Sequence, residues 1–185
     1  MKIGVLSVQG AFLEHEKALH KLGVECEEIR QEKDFKNVDG IILPGGESTV
    51  QGKLLCELNL FNNIKTEICH GLPTLATCAG LILLAEKIEN DNATYLKTLP
   101  VTVRRNAYGR QLGSFEANGD VDEIKDFPMV FIRAPYITKL NEGVEILSSI
   151  NDHIVGVKYQ NQIGLSFHPE LTNDMRIHEK FLSMV

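Results

Sequence analysis

The chain has 185 residues, 43% of them apolar and 24% charged, with a formal net charge of −6. That length and mix support a buried core and exclude a disordered chain. The acidic balance excludes an electrostatic nucleic-acid binder, and no apolar stretch approaches membrane-spanning length.

The first half alternates strand and helix. Ile3 to Val8 is a near-continuous apolar run, the pattern of a buried parallel strand. Phe12 to Leu22 has helical spacing and stops at Gly23. Strands are expected over Val24 to Ile29 and Gly40 to Leu43, the latter closed by Pro44-Gly-Gly46. Ser48 opens a helix carrying Val50, Leu54, Leu55 and Leu58, and Phe61 to Cys69 forms another. Leu72 to Thr77 is a strand, with a helix starting over Gly80 to Ala85. This rhythm implies a mainly parallel sheet with helices on both faces.

The second half changes character. Short strands are expected over Val101 to Val103, Ser114 to Ala117, Met129 to Ile132, Val144 to Leu147, Ile154 to Tyr159 and Ile163 to Phe167. Asn118-Gly119, Asn141-Glu-Gly143 and Asn151-Asp152 are turn signals between them. An antiparallel portion is therefore appended to the parallel core, and Met175 to Met184 makes a closing helix. With no linker or repeat, the expectation is one domain over residues 1–185.

Cys78 ends an apolar run and a small-residue step leads from it into a helix. That is the layout of a nucleophile elbow, with a helix N-terminus favouring thiolate. Gly164-Leu-Ser-Phe-His-Pro-Glu170 supplies His168 as a candidate base and Glu170 as the group that orients it. Leu43-Pro-Gly-Gly-Glu-Ser-Thr49 lies between a strand and a helix. It has no Gly-Lys-Ser/Thr step, so it suits an oxyanion hole better than a phosphate loop, or else an ordinary glycine turn capped by Ser48 with Glu47 solvated.

Three arginines fall in Val101 to Gln111, and a guanidinium fork suits a substrate carboxylate. Arg133 follows an apolar strand, where a charge needs a partner. His15, His20, His70, His153 and His178 have no metal-ligand spacing and read as surface or satisfied residues. The four cysteines, Cys26, Cys56, Cys69 and Cys78, have no CxxC spacing, so neither zinc nor a redox pair is indicated. Free thiols are expected. Lys2-Ile-Gly-Val-Leu-Ser-Val8 does not have the order of a signal peptide, which points to a cytoplasmic protein.

Together these segments resemble the class I (triad) glutamine amidotransferases. Gly4 to Gly10, Leu43 to Thr49, Thr77-Cys-Ala-Gly80, Arg105-Asn-Ala-Tyr-Gly-Arg-Gln111, Phe131-Ile-Arg-Ala-Pro135 and Phe167-His-Pro-Glu-Leu171 are similar to the family of glutaminase subunits of pyridoxal 5′-phosphate synthase, in that family's order. Ala76 departs from the usual Gly-x-Cys-x-Gly elbow. The resemblance implies a flavodoxin-like three-layer αβα fold. It also implies a Cys78–His168–Glu170 triad and an oxyanion hole from backbone N–H groups near Gly46 and of Ala79. L-glutamine would be contacted by Gly46, Glu47, Ser48, Arg105, Ile132 and Arg133. Ammonia would pass to a (β/α)8-barrel synthase subunit in a large hetero-oligomer, with Gln9-Gly10 near the interface. No metal or organic cofactor is implied. The alternatives are a glutaminase subunit of another biosynthetic pathway, a non-catalytic binding protein on the same fold, and a cysteine peptidase on a related one.

Overall fold

The computed structural model describes residues 1–89, 91–106 and 113–185. The rest of the arginine segment, including Arg110 and Gln111, lies outside the described residues.

Strands β1 (Lys2–Leu6), β2 (Glu25–Ile29), β3 (Gly40–Leu43), β4 (Thr74–Thr77) and β12 (Gln162–Leu165) run parallel in the order β2-β1-β3-β4-β12. The sheet continues through β11 (His153–Tyr159), β9 (Tyr136–Leu140), β6 (Leu99–Arg104) and β5 (Ala85–Ile88), and β10 (Glu145–Ile150) also pairs with β11. Antiparallel pairing enters where β11 meets β12 and β9. The fold is α/β with a mainly parallel central sheet and an antiparallel addition, as the residue pattern predicts.

Each face of the sheet carries its own core. On one side α2 (Ser48–Glu57), α3 (Phe61–Cys69) and α4 (Ala79–Leu84) bury Leu55, Leu60, Ile64 and Leu81 with Leu43 and Val157. On the other, α1 (Phe12–Lys21) and α5 (Arg176–Leu182) bury Leu19, Ile177 and Phe181 against Ile3, Val5 and Ile42. Helix α1 stops in a Schellman motif: the N–H of Val24 reaches the Leu19 carbonyl and that of Gly23 the His20 carbonyl. This needs positive φ at Gly23, where φ is 71°.

The hairpin of β7 (Ser114–Val121) and β8 (Ile124–Ile132) forms its own two-stranded sheet over the second core. Phe131 stacks on Phe115 at 4.5 Å and meets Phe167 edge-on at 5.7 Å. Such pairs contribute about 0.5–1.5 kcal/mol each beyond area burial. They also fix the chain just before His168, whose N–H donates to the Val130 carbonyl at 2.8 Å.

Several expectations are corrected. Asn118-Gly119 is no turn: both residues lie inside β7 opposite Pro128 and Phe127, and the chain reverses at Asp122, with φ 54°. A Cβ at 119 would come within 2.5 Å of Ile150 Cδ1, so the absent side chain leaves room for that residue. Strands β5 and β9 were not expected. The helix after Cys78 has only six residues before β5 begins, so it is a shorter dipole than the apolar run suggests.

Candidate active site

Cys78 sits between β4 and α4 with φ 48° and ψ −100°. This is a sparsely populated conformation, costing about 1–3 kcal/mol and tolerated only where the surroundings hold it. Here the Cys78 N–H donates to the Leu165 carbonyl of β12 at 2.8 Å. Gly80 lets α4 lie against β3, because a Cβ there would fall 2.1 Å from the Leu43 carbonyl oxygen. Ala76, where the elbow pattern has glycine, is fully buried and part of the core, so its methyl group is accommodated.

His168 and Glu170 follow β12. Pro169 opens a short 3-10 turn, Pro169–Leu171, which bends the chain so that two residues that would alternate in a strand face each other. His168 Nδ1 and Glu170 Oε1 are 2.7 Å apart, both side chains buried. Burial opposes a charge on His168. Its hydrogen bonds to Cys78 and Glu170, and their negative charge, outweigh this and push its pKa up to about 10. Burial likewise opposes a charge on Glu170, yet His15, His168 and a backbone N–H hold its carboxyl below the usual range. The Cys78 thiol also faces the Ile132 carbonyl at 3.8 Å. A thiol beside an imidazolium backed by a carboxylate is the setting of a cysteine nucleophile.

A cleft of about 520 Å³ opens at Cys78 and His168. Its wall includes Gly46, Glu47, Ser48, Arg105, Ile132 and Arg133, so the expected glutamine contacts surround the thiol. Ala79 is the first residue of α4, directly after Cys78. Ser48 Oγ is buried with no partner among the described residues, an atom free to bond a ligand. A second groove, between α1 and the Pro169–Leu171 turn, has no cysteine in its lining.

The glycine loop is strapped to the end of β1. Ala11 N–H donates to the Gly45 carbonyl at 2.9 Å, Gly45 N–H to Thr77 Oγ1 at 3.0 Å, and Glu47 N–H to Gln9 Oε1 at 2.8 Å. Gly10 is obligatory, because a Cβ there would meet the Gly45 carbonyl at 2.0 Å, and Gly45 leaves room for His168, whose Cε1 a Cβ would meet at 2.2 Å. Glu47, expected as a glutamine contact, also caps α2 and accepts the Thr49 N–H; the alternative reading of an ordinary turn has Ser48 as the cap. Arg105 reaches Glu47 and Thr49 with one nitrogen and Asp91 with the other, each at 3.2 Å. Arg133, with φ 42°, needs no buried partner because it is exposed at the cleft.

Sequence reasoning placed Gln9 near an interface but missed its bond to the glycine loop, and it missed Thr77 and the contact between His15 and His178. The last two, read as surface or satisfied residues, are fully buried and hydrogen-bonded to each other. Only the apolar surroundings of position 15 and the closing-helix face at 178 hinted at this.

Known proteins resemble this chain. The pyridoxal 5′-phosphate synthase subunit PdxT of Desulfitobacterium hafniense is 61% identical over 186 residues, covering 100% of this chain and 94% of the relative. The subunit of that name from Streptococcus pneumoniae is 50% identical over 188 residues, covering 100% and 97%. A crystal structure of a glutamine amidotransferase superimposes with a TM-score of 0.94 at 42% identity, covering 98% of this chain and 97% of the other. The PurLQS structure from Thermotoga maritima, at 17% identity and a TM-score of 0.72 with 98% and 97% covered, shares the fold alone. Residues 5–185 match the model of the SNO glutamine amidotransferase family, and the chain belongs to that family.

Proposed function

We propose that this chain is the glutaminase of a pyridoxal 5′-phosphate synthase. It hydrolyses L-glutamine and passes the ammonia to the synthase subunit. The observation that carries this reading is the strained Cys78 turn beside the His168–Glu170 pair, in a cleft lined by Ser48 and Arg105. The names of the PdxT relatives supply the partner and the pathway. The whole chain, residues 1–185, acts as one class I amidotransferase domain. We place it in the cytoplasm, where a reducing compartment keeps the four free thiols reduced.

Cys78 Sγ attacks the carboxamide carbon of glutamine. The resulting oxyanion is held by backbone N–H groups of the Gly46 loop and of Ala79. His168 gives its proton to the departing nitrogen, the C–N bond breaks, and ammonia leaves behind a γ-glutamyl thioester. A water molecule, deprotonated by His168, attacks the thioester and glutamate departs as the thiol is restored. Glu170 orients the imidazole and stabilises its charged form throughout. Arg105 and Arg133 present guanidinium groups for the α-carboxylate, and Ser48 Oγ offers a hydroxyl to the bound amino acid.

Ammonia release from glutamine, measured with the synthase subunit present, tests the reading. Cys78→Ala abolishes it, whereas Cys26→Ala, Cys56→Ala and Cys69→Ala retain it. More than a trace of activity in Cys78→Ala would overturn the thioester route. Release elicited only by the synthase subunit of another pathway would overturn the assignment to pyridoxal 5′-phosphate.

A further inference from the structure

Two buried imidazoles remain that the mechanism does not use. His15 on α1 places Nε2 3.2 Å from Thr77 Oγ1 and 3.4 Å from Glu170 Oε2. Its Nδ1 lies 3.0 Å from Nε2 of His178 on α5. Thr77 Oγ1 in turn accepts the N–H of Gly45 at 3.0 Å. One side chain therefore touches both the carboxylate behind His168 and the hydroxyl that holds the glycine loop. Buried polar groups of this kind are costly unless satisfied, and an aliphatic residue would fill the same space without that cost.

The positions of the protons follow from chemistry. A carboxylate oxygen only accepts, and Glu170 Oε2 makes no hydrogen bond among the described residues. A lone pair on His15 Nε2 would repel it, so Nε2 carries the proton. That N–H points more nearly at Thr77 Oγ1, and reaches Glu170 as a close dipole rather than a straight hydrogen bond. Nδ1 of His15 must then accept, and His178 Nε2 donates to it. This leaves His178 Nδ1 a bare buried acceptor, and it has no partner among the described residues. Burial lowers the pKa of His15 despite Glu170 and Glu14, whose charges favour protonation, while His168 opposes it. Burial and the neighbouring His15 bring His178 down to about 3, against the pull of Glu170. Both rings are thus neutral at pH 7, and His15 acts on Glu170 through its N–H dipole, not a full charge.

We propose that His15, backed by His178, is a positioning residue for the glutaminase reaction, fixing Glu170 behind His168 and Thr77 beneath the Gly45 loop at the same time. The inference rests on the functional reading above and adds a residue to it. It explains why the orienting carboxylate and the oxyanion loop, which come from distant parts of the chain, share one register.

The test uses three variants and two readouts. His15→Leu keeps bulk and removes both nitrogens. His15→Gln carries an amide that reaches the place of Nε2, and His15→Asn one that does not. The first readout is ammonia release by the complex with the synthase subunit. The second is the titration of the His168 ring followed by NMR in the isolated chain, which needs no turnover. His15→Leu lowers kcat by about tenfold or more, with KM for glutamine within about twofold. It moves the His168 midpoint down by about one pH unit. Gln recovers part of both losses and Asn does not. Thr77→Val lowers kcat without moving the His168 midpoint, because it acts on the loop alone. A folded His15→Leu chain with unchanged kcat and an unchanged His168 midpoint would overturn the proposal. Should His15→Leu not fold, equal kcat and equal midpoints in the Gln and Asn variants overturn it instead. A wild-type complex that releases no ammonia defeats the functional reading, while the His168 titration still decides this one.

Discussion

At Cys78 the backbone is bent into a conformation that few L-residues adopt, and the neighbours that hold it there are small because nothing larger fits. Gly45 is the clearest case. It has no positive φ to demand glycine, so its role is clearance alone: the missing Cβ leaves room for the His168 ring. Gly45→Ala should therefore damage catalysis far more than folding. A methyl group 2.2 Å from Cε1 must push the imidazole aside, and a misplacement of about 1 Å can cost about a hundredfold in rate. We expect kcat in the complex to fall at least that far, with the melting temperature within a few degrees of wild type. Comparable kcat in both proteins would mean that the loop yields and the ring does not. At this scale the sequence was readable where function is written locally. Cys78 in its elbow, and His168 with Glu170 across a proline, are short-range patterns. His15 and His178 meet across 163 positions, and no spacing rule reveals a contact of that range.

Among the elements, the parallel half was legible because its strands are buried on both faces and read as continuous apolar runs, such as Ile41 to Leu43. Strand β5, with the sequence Ala-Glu-Lys-Ile and two exposed central residues, has no such run. In strand β9 only Ile137 is fully buried, and Leu140 packs partly against the core. Tertiary pairing, not local pattern, makes both into strands. Helices α1 and α5 are joined through His15 and His178, and this junction has a consequence in acid. His178 has a folded pKa of about 3, below its ordinary 6.5. Between those values the unfolded chain binds a proton that the folded chain refuses, so stability falls as pH falls. The slope is about 1.4 kcal/mol per pH unit for one such group. His178→Leu removes that term. Urea unfolding at pH 7 and pH 5 should show the wild type losing about 1–2 kcal/mol more than the variant across the interval. Parallel losses would show that His178 is protonated in the folded protein as readily as in the unfolded one.

For the molecule as a whole, a glutaminase that turned over without its partner would waste both glutamine and ammonia, so the site needs a control that responds to binding. The strap of Gln9, Gly10 and Ala11 on the Gly45–Gly46 loop is placed for that role. Gly10 is exposed, and Ile132 and Leu171, both in the cleft wall, are exposed apolar residues at 39% and 41%. A synthase subunit docking over this face would touch the strap directly. In the trans peptide between Gly45 and Gly46, the N–H points opposite to the carbonyl. The bond from Ala11 to the Gly45 carbonyl therefore also sets where the Gly46 N–H aims. Flanking glycines let that plane turn over. In the proposed mechanism only one orientation serves the oxyanion, and losing such a donor costs about 3 to 4 kcal/mol in the transition state. A partner can shift the plane only by binding one orientation better by a comparable amount. We therefore expect the isolated chain to be nearly silent, and turnover at saturating glutamine to rise by about a hundredfold or more as the synthase subunit is titrated in. Binding is followed separately by sedimentation, so that a flat activity curve alongside demonstrated association would sink the idea that the glycine loop gates catalysis.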